Sequence, residues 1–266
     1  MSDVLSQIYR SRQVRLNEEM EREPLAALTE GAAASRATRR SLAAALRSAR
    51  PPALIAEIKH ASPSAGVITD DFDVAQIAAS YQQAGADAIS VLTDEDHFQG
   101  RLSYLAVARD QTNVPLLRKD FLTTPYEVVQ SAAYGADAIL AIVAGLTDPQ
   151  LLALLSAGSE WEIEVLVEVH TRAEMGRALS LGATLLGINN RDLRTLATNP
   201  EVTQSLIRLV PPGIQVVSES GYASVAEIQG AFHGGIPAFL VGEALMRSRN
   251  KAGFVSAVKA AEALRE

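Results

Sequence analysis

The chain has 266 residues, 48% hydrophobic and 21% charged, with a formal net charge of −7 and no cysteine. That balance suits a soluble globular protein with a large core, and the missing cysteine excludes disulfides, thiol nucleophiles and cysteine zinc sites. No run approaches the roughly 18 uninterrupted apolar residues of a membrane helix, and an acidic body, with −10 beyond residue 50 against +3 for residues 1–50, argues against extended nucleic-acid binding.

The opening "MSDVLSQIYRSRQ" lacks the apolar centre of a secretion signal, so a cytoplasmic location is expected. Residues 1–50 read as a helical extension. Arg10, Arg12 and Arg15 fall on one expected helix, and Arg36, Arg39 and Arg40 form a second basic group. Charge patterning makes these solvated faces, or else a positive rim that attracts an anionic small molecule.

From Pro51 onward, β-rich runs alternate with helix-length segments. The runs are "ALIAEIK" (53–59), "AISVLTD" (88–94), "PLLRKDF" (115–121), "AILAIVA" (138–144), "EVLVEVH" (164–170), "LLGINNR" (185–191), "QVVSES" (215–220) and "AFLVGE" (238–243), eight in all. Stretches such as "DVAQIAASYQQAGA" carry apolar residues at helical spacing and end in a capping Gly. Strand alternating with helix means parallel strands with right-handed crossovers. A weak repeat places Gly85, Gly135, Gly182 and Gly235 just before strands, 50, 47 and 53 residues apart, which is two strand-helix units per period. The expected fold is therefore a (β/α)8 TIM barrel over 51–266 with the extension 1–50 packed on it. A doubly wound open sheet is the alternative, but neither G-x-G-x-x-G nor a Walker loop follows the first strand.

The first run raises a question of charge. Residues at i and i+2 share a strand face, so Glu57 and Lys59 stand with Ala53 and Ile55, away from Leu54, Ala56 and Ile58. An ion taken out of water costs several kcal/mol, so this face is either a solvated edge or the wall of a polar cavity. Inward residues of a barrel form layers supplied by alternate strands. The unusual charges fall on odd runs: Glu57 and Lys59 on the first, Lys119 on the third, Glu168 on the fifth, Glu219 on the seventh. Each is near the carboxyl end of its strand, where barrel active sites are built. Asn189 and Arg191 share a face in "GINNRD". Three cations against three glutamates can offset one another and shift each other's pKa. Gly221 and Gly242 end the seventh and eighth runs, where barrels of this kind hold phosphate on backbone N–H groups. The four histidines show no metal spacing, and "TDEDHFQG" (93–100) lacks a calcium-loop pattern, reading instead as a solvated loop that presents Phe98. Neither metal nor cofactor is expected.

"IAEIKHASPS", "SVLTDEDHFQG", "LLRKDF", "LVEVHT", "GINNRDL", "VVSESG" and "FLVGEALM", in this order, resemble the indole-3-glycerol-phosphate synthase family of tryptophan biosynthesis. His60 stands where that family has a basic Lys or Arg. The resemblance implies closure of an indole ring on 1-(2-carboxyphenylamino)-1-deoxyribulose 5-phosphate with loss of CO2 and water. It implies catalytic roles for Glu57, Lys59, Lys119, Glu168, Asn189, Glu219 and Ser220, with Lys119 at the ketone oxygen. Ser62, Phe98, Phe121, Leu140, Arg191, Leu193, Gly221, Leu240, Gly242 and Glu243 would bind substrate, Glu243 through its backbone. The partner is then a phosphorylated small molecule, not nucleic acid or membrane, and the protein a monomer in transient contact with other tryptophan-pathway enzymes. Two rivals remain: a Schiff-base sugar-phosphate aldolase using Lys119 or Lys59, and a catalytically silent phosphate-binding barrel.

Overall fold

In the computed structural model, which describes residues 4–260, the eight runs become β1 (Ala53–Ile58), β2 (Ala88–Leu92), β3 (Leu116–Lys119), β4 (Ala138–Ile142), β5 (Glu164–Val169), β6 (Leu185–Asn189), β7 (Gln215–Glu219) and β8 (Ala238–Val241). They pair in parallel, each with its neighbour in sequence, and β1 closes the barrel by pairing with both β2 and β8. The expected (β/α)8 barrel is what forms. The helices α4 (Val74–Gln83), α5 (Ser103–Gln111), α6 (Pro125–Ala133), α7 (Asp148–Trp161), α8 (Arg172–Ser180), α9 (Glu201–Ile207), α10 (Val225–His233) and α11 (Lys251–Lys259) follow the strands in turn. The repeat glycines Gly85, Gly135, Gly182 and Gly235 all take positive φ just past a helix end.

Alternation along each strand builds two separate apolar layers. Ile55, Leu117, Leu140, Leu166, Val217 and Leu240 point inward and fill the barrel. Leu54, Ala56 and Ile58 point outward, as do Val167 and Val169, and pack under the helices. β5 thus has the register its pattern requires, with Leu166 and Glu168 inward.

Every strand ends one or two residues before its expected run does. Lys59, His170, Arg191, Ser220 and Gly242 lie beyond the last ladder pair, although the sequence pattern places them on strands. Alternation persists there while the backbones splay into the mouth. The loop after β1 also forms an unexpected two-residue hairpin, Ala61–Ser62 against Gly66–Val67, which fixes Ser62.

The extension comprises α1 (Val4–Arg22), α2 (Leu25–Ser35) and α3 (Leu42–Ser48). Leu42 and Leu46 of α3 are buried with Ala53, Ala88, Leu185 and Ala238, the first residues of their strands, so α3 closes the amino-terminal end of the barrel. Glu164 at the start of β5 accepts from the Ala43 N–H and the Ser41 hydroxyl. At the other end, Leu5 and Ile8 of α1 reach the wall of the mouth.

The basic groups need correction. Arg12 is 3% exposed, neither on a solvated face nor on a rim, because Glu19 and Glu127 enclose its guanidinium. Arg15 pairs with Glu95 and Asp96. Arg36 pairs with Glu162, Arg39 donates to the Trp161 carbonyl, and Arg40 reaches Asn113. Arg10 stays exposed and donates to the Ser6 carbonyl, and none of these six arginines lines the mouth, so they form no positive rim there.

Candidate active site

The mouth encloses a cavity of about 710 Å³. Its floor is ionic. Lys59 Nζ lies 2.8 Å from Glu57 Oε1, and Lys119 Nζ lies 3.5 Å from both Glu168 Oε2 and Glu219 Oε2. Glu57, Glu168 and Glu219 are all buried. Asn189 accepts the Arg191 N–H on Oδ1, and its side chain helps to lower the Glu168 pKa.

Burial alone would push Lys119, Glu168 and Glu219 toward their neutral forms. For Lys119, burial lowers the pKa, but Glu168, Glu219 and Glu57 outweigh it and hold the ammonium above its ordinary range. Glu168 is pushed up by burial and then pulled well below the carboxylate range by Lys119 and His170. Glu219 is pushed up to about 8 by burial and by the Glu168 and Glu57 charges, which outweigh the pulls of Lys119 and, more weakly, His170. The two carboxyls beside one lysine are therefore unlike: one anionic, one holding a proton.

Two glycines make room for this floor. A Cβ on Gly187, in the middle of β6, would lie 2.0 Å from Glu219 Oε1, and one on Gly242 would lie 2.0 Å from Glu57 Oε1. Gly187→Ala is expected to displace the Glu219 carboxyl and cut kcat by about 10²-fold, the usual effect of an ångström-scale misplacement. KM should move little; steady-state kinetics beside wild type checks this.

One wall is apolar. Phe98, Phe121, Leu140, Leu193 and Leu240 line it, with Leu5 and Ile8 from α1. Phe98 sits 6.0 Å from Phe121 between ring centres. The stretch that presents Phe98 is not simply a solvated loop: Glu95–Phe98 is one helical turn capped by the buried Asp94 carboxylate, which accepts the His97 and Phe98 N–H groups. The opposite wall is polar, with Ser62, Arg191, Ser220, Gly221, Gly242 and Glu243. Ser220 and Gly221 both take positive φ, which turns the chain sharply after β7. Arg191 donates to the Leu196 carbonyl at 3.0 Å and lies 3.9 Å from Glu243.

All the sequence-derived site residues thus line one cavity except Glu219, which lies beneath its floor against Lys119. Sequence reasoning assigned nothing to Gly187, although an isolated Gly within a strand signals close approach. It also passed over Leu5 and Ile8, whose i, i+3 spacing marks an apolar helix stripe. His60, the departure from the family pattern, stacks on Phe72 with ring centres 4.5 Å apart at the edge of the β1 loop.

Residues 5–258 match the protein family described as Indole-3-glycerol phosphate synthase. An indole-3-glycerol phosphate synthase of Acidithiobacillus ferrooxidans is 47% identical over 251 residues, covering 93% of this chain and 95% of that protein. One from Polaromonas sp. is 44% identical over 253 residues, covering 94% and 96%. Among solved structures, 3-hexulose-6-phosphate synthase from Salmonella typhimurium superposes with a TM-score of 0.64 at 11% identity, over 80% of this chain and 100% of that one. KGPDC from Streptococcus mutans does so with a TM-score of 0.62 at 19% identity, over 81% and 100%. At such identities these two speak for the barrel alone. The match along nearly the whole length, with close relatives of a single name, puts the chain in the indole-3-glycerol phosphate synthase family.

Proposed function

We propose that the cavity closes the indole ring of 1-(2-carboxyphenylamino)-1-deoxyribulose 5-phosphate, releasing CO2 and water, with the named side chains in the following roles. The carrying observation is the pair of lysines set among three buried carboxylates, between an apolar wall and a polar one. Phe98, Phe121, Leu140, Leu193 and Leu240 hold the aromatic ring over the ketone. Ser220, Gly221, Gly242 and the Glu243 backbone take the phosphate, while Ser62 and Arg191 meet the anionic groups. Held in this way, the ring carbon and the ketone of the one substrate stay in a near-attack conformation, which can supply several kcal/mol of the barrier.

The ring carbon bearing the carboxylate attacks the ketone carbon, assisted by the nitrogen lone pair, and negative charge grows on the ketone oxygen. Lys119, kept protonated by its neighbours, stabilises that charge and donates the proton. The bond to the carboxylate then breaks, its electrons restoring the aromatic ring as CO2 leaves. The hydroxyl must next leave as water and a C–H proton must be removed, which needs one acid and one base. Lys59, with Glu57 at 2.8 Å, and Glu168 supply them. Asn189 and Glu219 orient the substrate hydroxyls and the lysines.

An ammonium held in its charged form beside the Glu168 carboxylate is a poor nucleophile. No borohydride-trapped adduct on Lys119 is therefore expected with the ketone substrate, and a trapped one would favour the aldolase reading. The decisive assay mixes pure protein with the carboxyphenylamino sugar phosphate, without metal or nucleotide, and follows indole fluorescence. No indoleglycerol phosphate would overturn the assignment.

Residues 1–50 belong to this catalytic unit, since α1 completes the apolar wall and α3 closes the far end of the barrel. A cytoplasmic monomer, free of nucleic acid and membrane and in passing contact with other tryptophan-pathway enzymes, fits the acidic charge. No helix among the described residues is long and apolar enough to cross a membrane.

A further inference from the structure

Glu168 and Glu219 share Lys119 at equal distance, 3.5 Å each, yet their remaining surroundings differ. Glu168 has a second cation. His170 Nε2 lies 3.3 Å from Glu168 Oε1, and the other ring nitrogen, Nδ1, lies 3.2 Å from Glu174 Oε2. Glu174 is fixed in turn, because the same oxygen accepts the His170 N–H at 2.7 Å and Thr171 caps α8. A ring that faces a carboxylate on each side is favoured as the imidazolium, whose charge is attracted to both. Glu219 has no second cation within 4 Å among the described residues, and both its oxygens are buried without a hydrogen-bond partner there, whereas Glu168 leaves only Oε1, the oxygen facing His170 Nε2, without one. A buried carboxyl so placed is costly as an anion and much less so with a proton.

We infer that His170 is a positioning residue that assigns the shared proton: its imidazolium fixes Glu168 as the anion of the pair and leaves Glu219 as the protonated acid beneath Lys119. This deepens the proposed reaction and rests on it for turnover, but not for where the proton resides. The other groups around the pair agree. Glu57 of β1 adds negative charge near Glu219 and Lys119, Asn189 of β6 helps to lower the Glu168 pKa, and Tyr9 of α1 stays neutral through burial and the Glu168 charge. Burial lowers His170, but Glu168 and Glu174 together push it up to about 10, so it keeps its charge through neutral pH. Functionally, a proton held under Lys119 can replace the one Lys119 gives to the ketone oxygen. It moves from the Glu219 carboxyl to Lys119 Nζ, leaving a carboxylate there. Proton count is conserved, because loss of the substrate carboxylate as CO2 consumes one proton overall, which solvent returns to Glu219.

Infrared spectroscopy of the full-length protein tests this without turnover. Wild type is expected to show a buried carboxylic acid band that bleaches near pH 8, and Glu219→Gln to lack it. Removing the cation raises carboxyl affinity for protons, so His170→Asn should hold the band to a pH higher by about one unit. The alkaline limb of kcat should move the same way, with KM unchanged within a few-fold. Glu174→Gln, a change at the half-buried end of the chain, should shift the midpoint in the same direction by less. A role confined to packing would move neither midpoint. A band that survives in Glu219→Gln, or an unmoved midpoint in both His170→Asn and Glu174→Gln, overturns the inference. The expected band behaviour in a wild type that forms no product would fault the assigned reaction and still support this proton assignment.

Discussion

Lys119→Ala is expected to lower kcat by about 10³-fold, the usual cost of removing the principal donor to a developing oxyanion. The loss should appear equally in CO2 release and in indole fluorescence, because the bond to the carboxylate breaks only after the ring carbon has attacked the ketone. KM should change far less, since the apolar wall and the polar loops are untouched. The protein should remain folded by circular dichroism. Truncation leaves Glu168 and Glu219 without their shared cation, but Glu219 already favours its neutral form, and His170 still faces Glu168. CO2 release near the wild-type rate would show that another group serves the ketone oxygen, with Lys59 the next candidate at 2.8 Å from Glu57.

The barrel was legible because its signals are local. Each run of β-formers announces a strand, each capping Gly announces the end of the helix before the next, and the period gives their number. The charged floor was legible for a related reason: alternation fixes the face, and odd strands share a layer, so Glu57, Lys119, Glu168 and Glu219 had to approach one another. What was not legible depends on which distant side chains meet. Alternation along "EVLVEVH" puts His170 on the face of Glu168, but its second partner, Glu174, is one turn into α8, where the cap at Thr171 brings it over the ring. Nothing in the sequence assigns Gly187 a use; that becomes visible only with the Glu219 carboxyl against it. Strand ends were overrun by one or two residues because alternation of side chains continues where backbone pairing has stopped. Arg12 is the largest miss, since nothing in "YRSRQVR" separates a buried arginine from its exposed neighbour Arg10.

Arg12→Met is expected to destabilise the protein by about 3–5 kcal/mol, the range for breaking a buried ion network by removing one partner. The Arg12 guanidinium bonds Glu127 Oε1 at 2.9 Å and both Glu19 oxygens at 2.7 and 2.9 Å, and lies 4.0 Å from Asp120. Glu127 also accepts the Thr123 and Thr124 N–H groups, so it holds the loop before α6, and Asp120 accepts the Phe121 N–H and pairs with Arg118. Lys119 and Phe121 flank Asp120 on the chain, so the extension holds the catalytic strand end through this node. Burial pushes Asp120 up, but Arg12 and Arg118 hold it below the carboxylate range, and Glu19 is likewise lowered against burial by Arg12. Carboxylates depressed on folding add stability that is complete above their unfolded values, about 4, and is lost as the pH falls through the folded ones. Denaturant melts should therefore show the Arg12→Met deficit in full at neutral pH and shrinking as the pH drops below about 4. Arg10→Ala, at an exposed position whose side chain donates to the Ser6 carbonyl one turn back, should stay within about 0.5 kcal/mol of wild type. A deficit for Arg12→Met no larger than that control would mean that the node adds nothing beyond hydrophobic packing, and that α1 is held by Leu5, Ile8 and Leu16 alone.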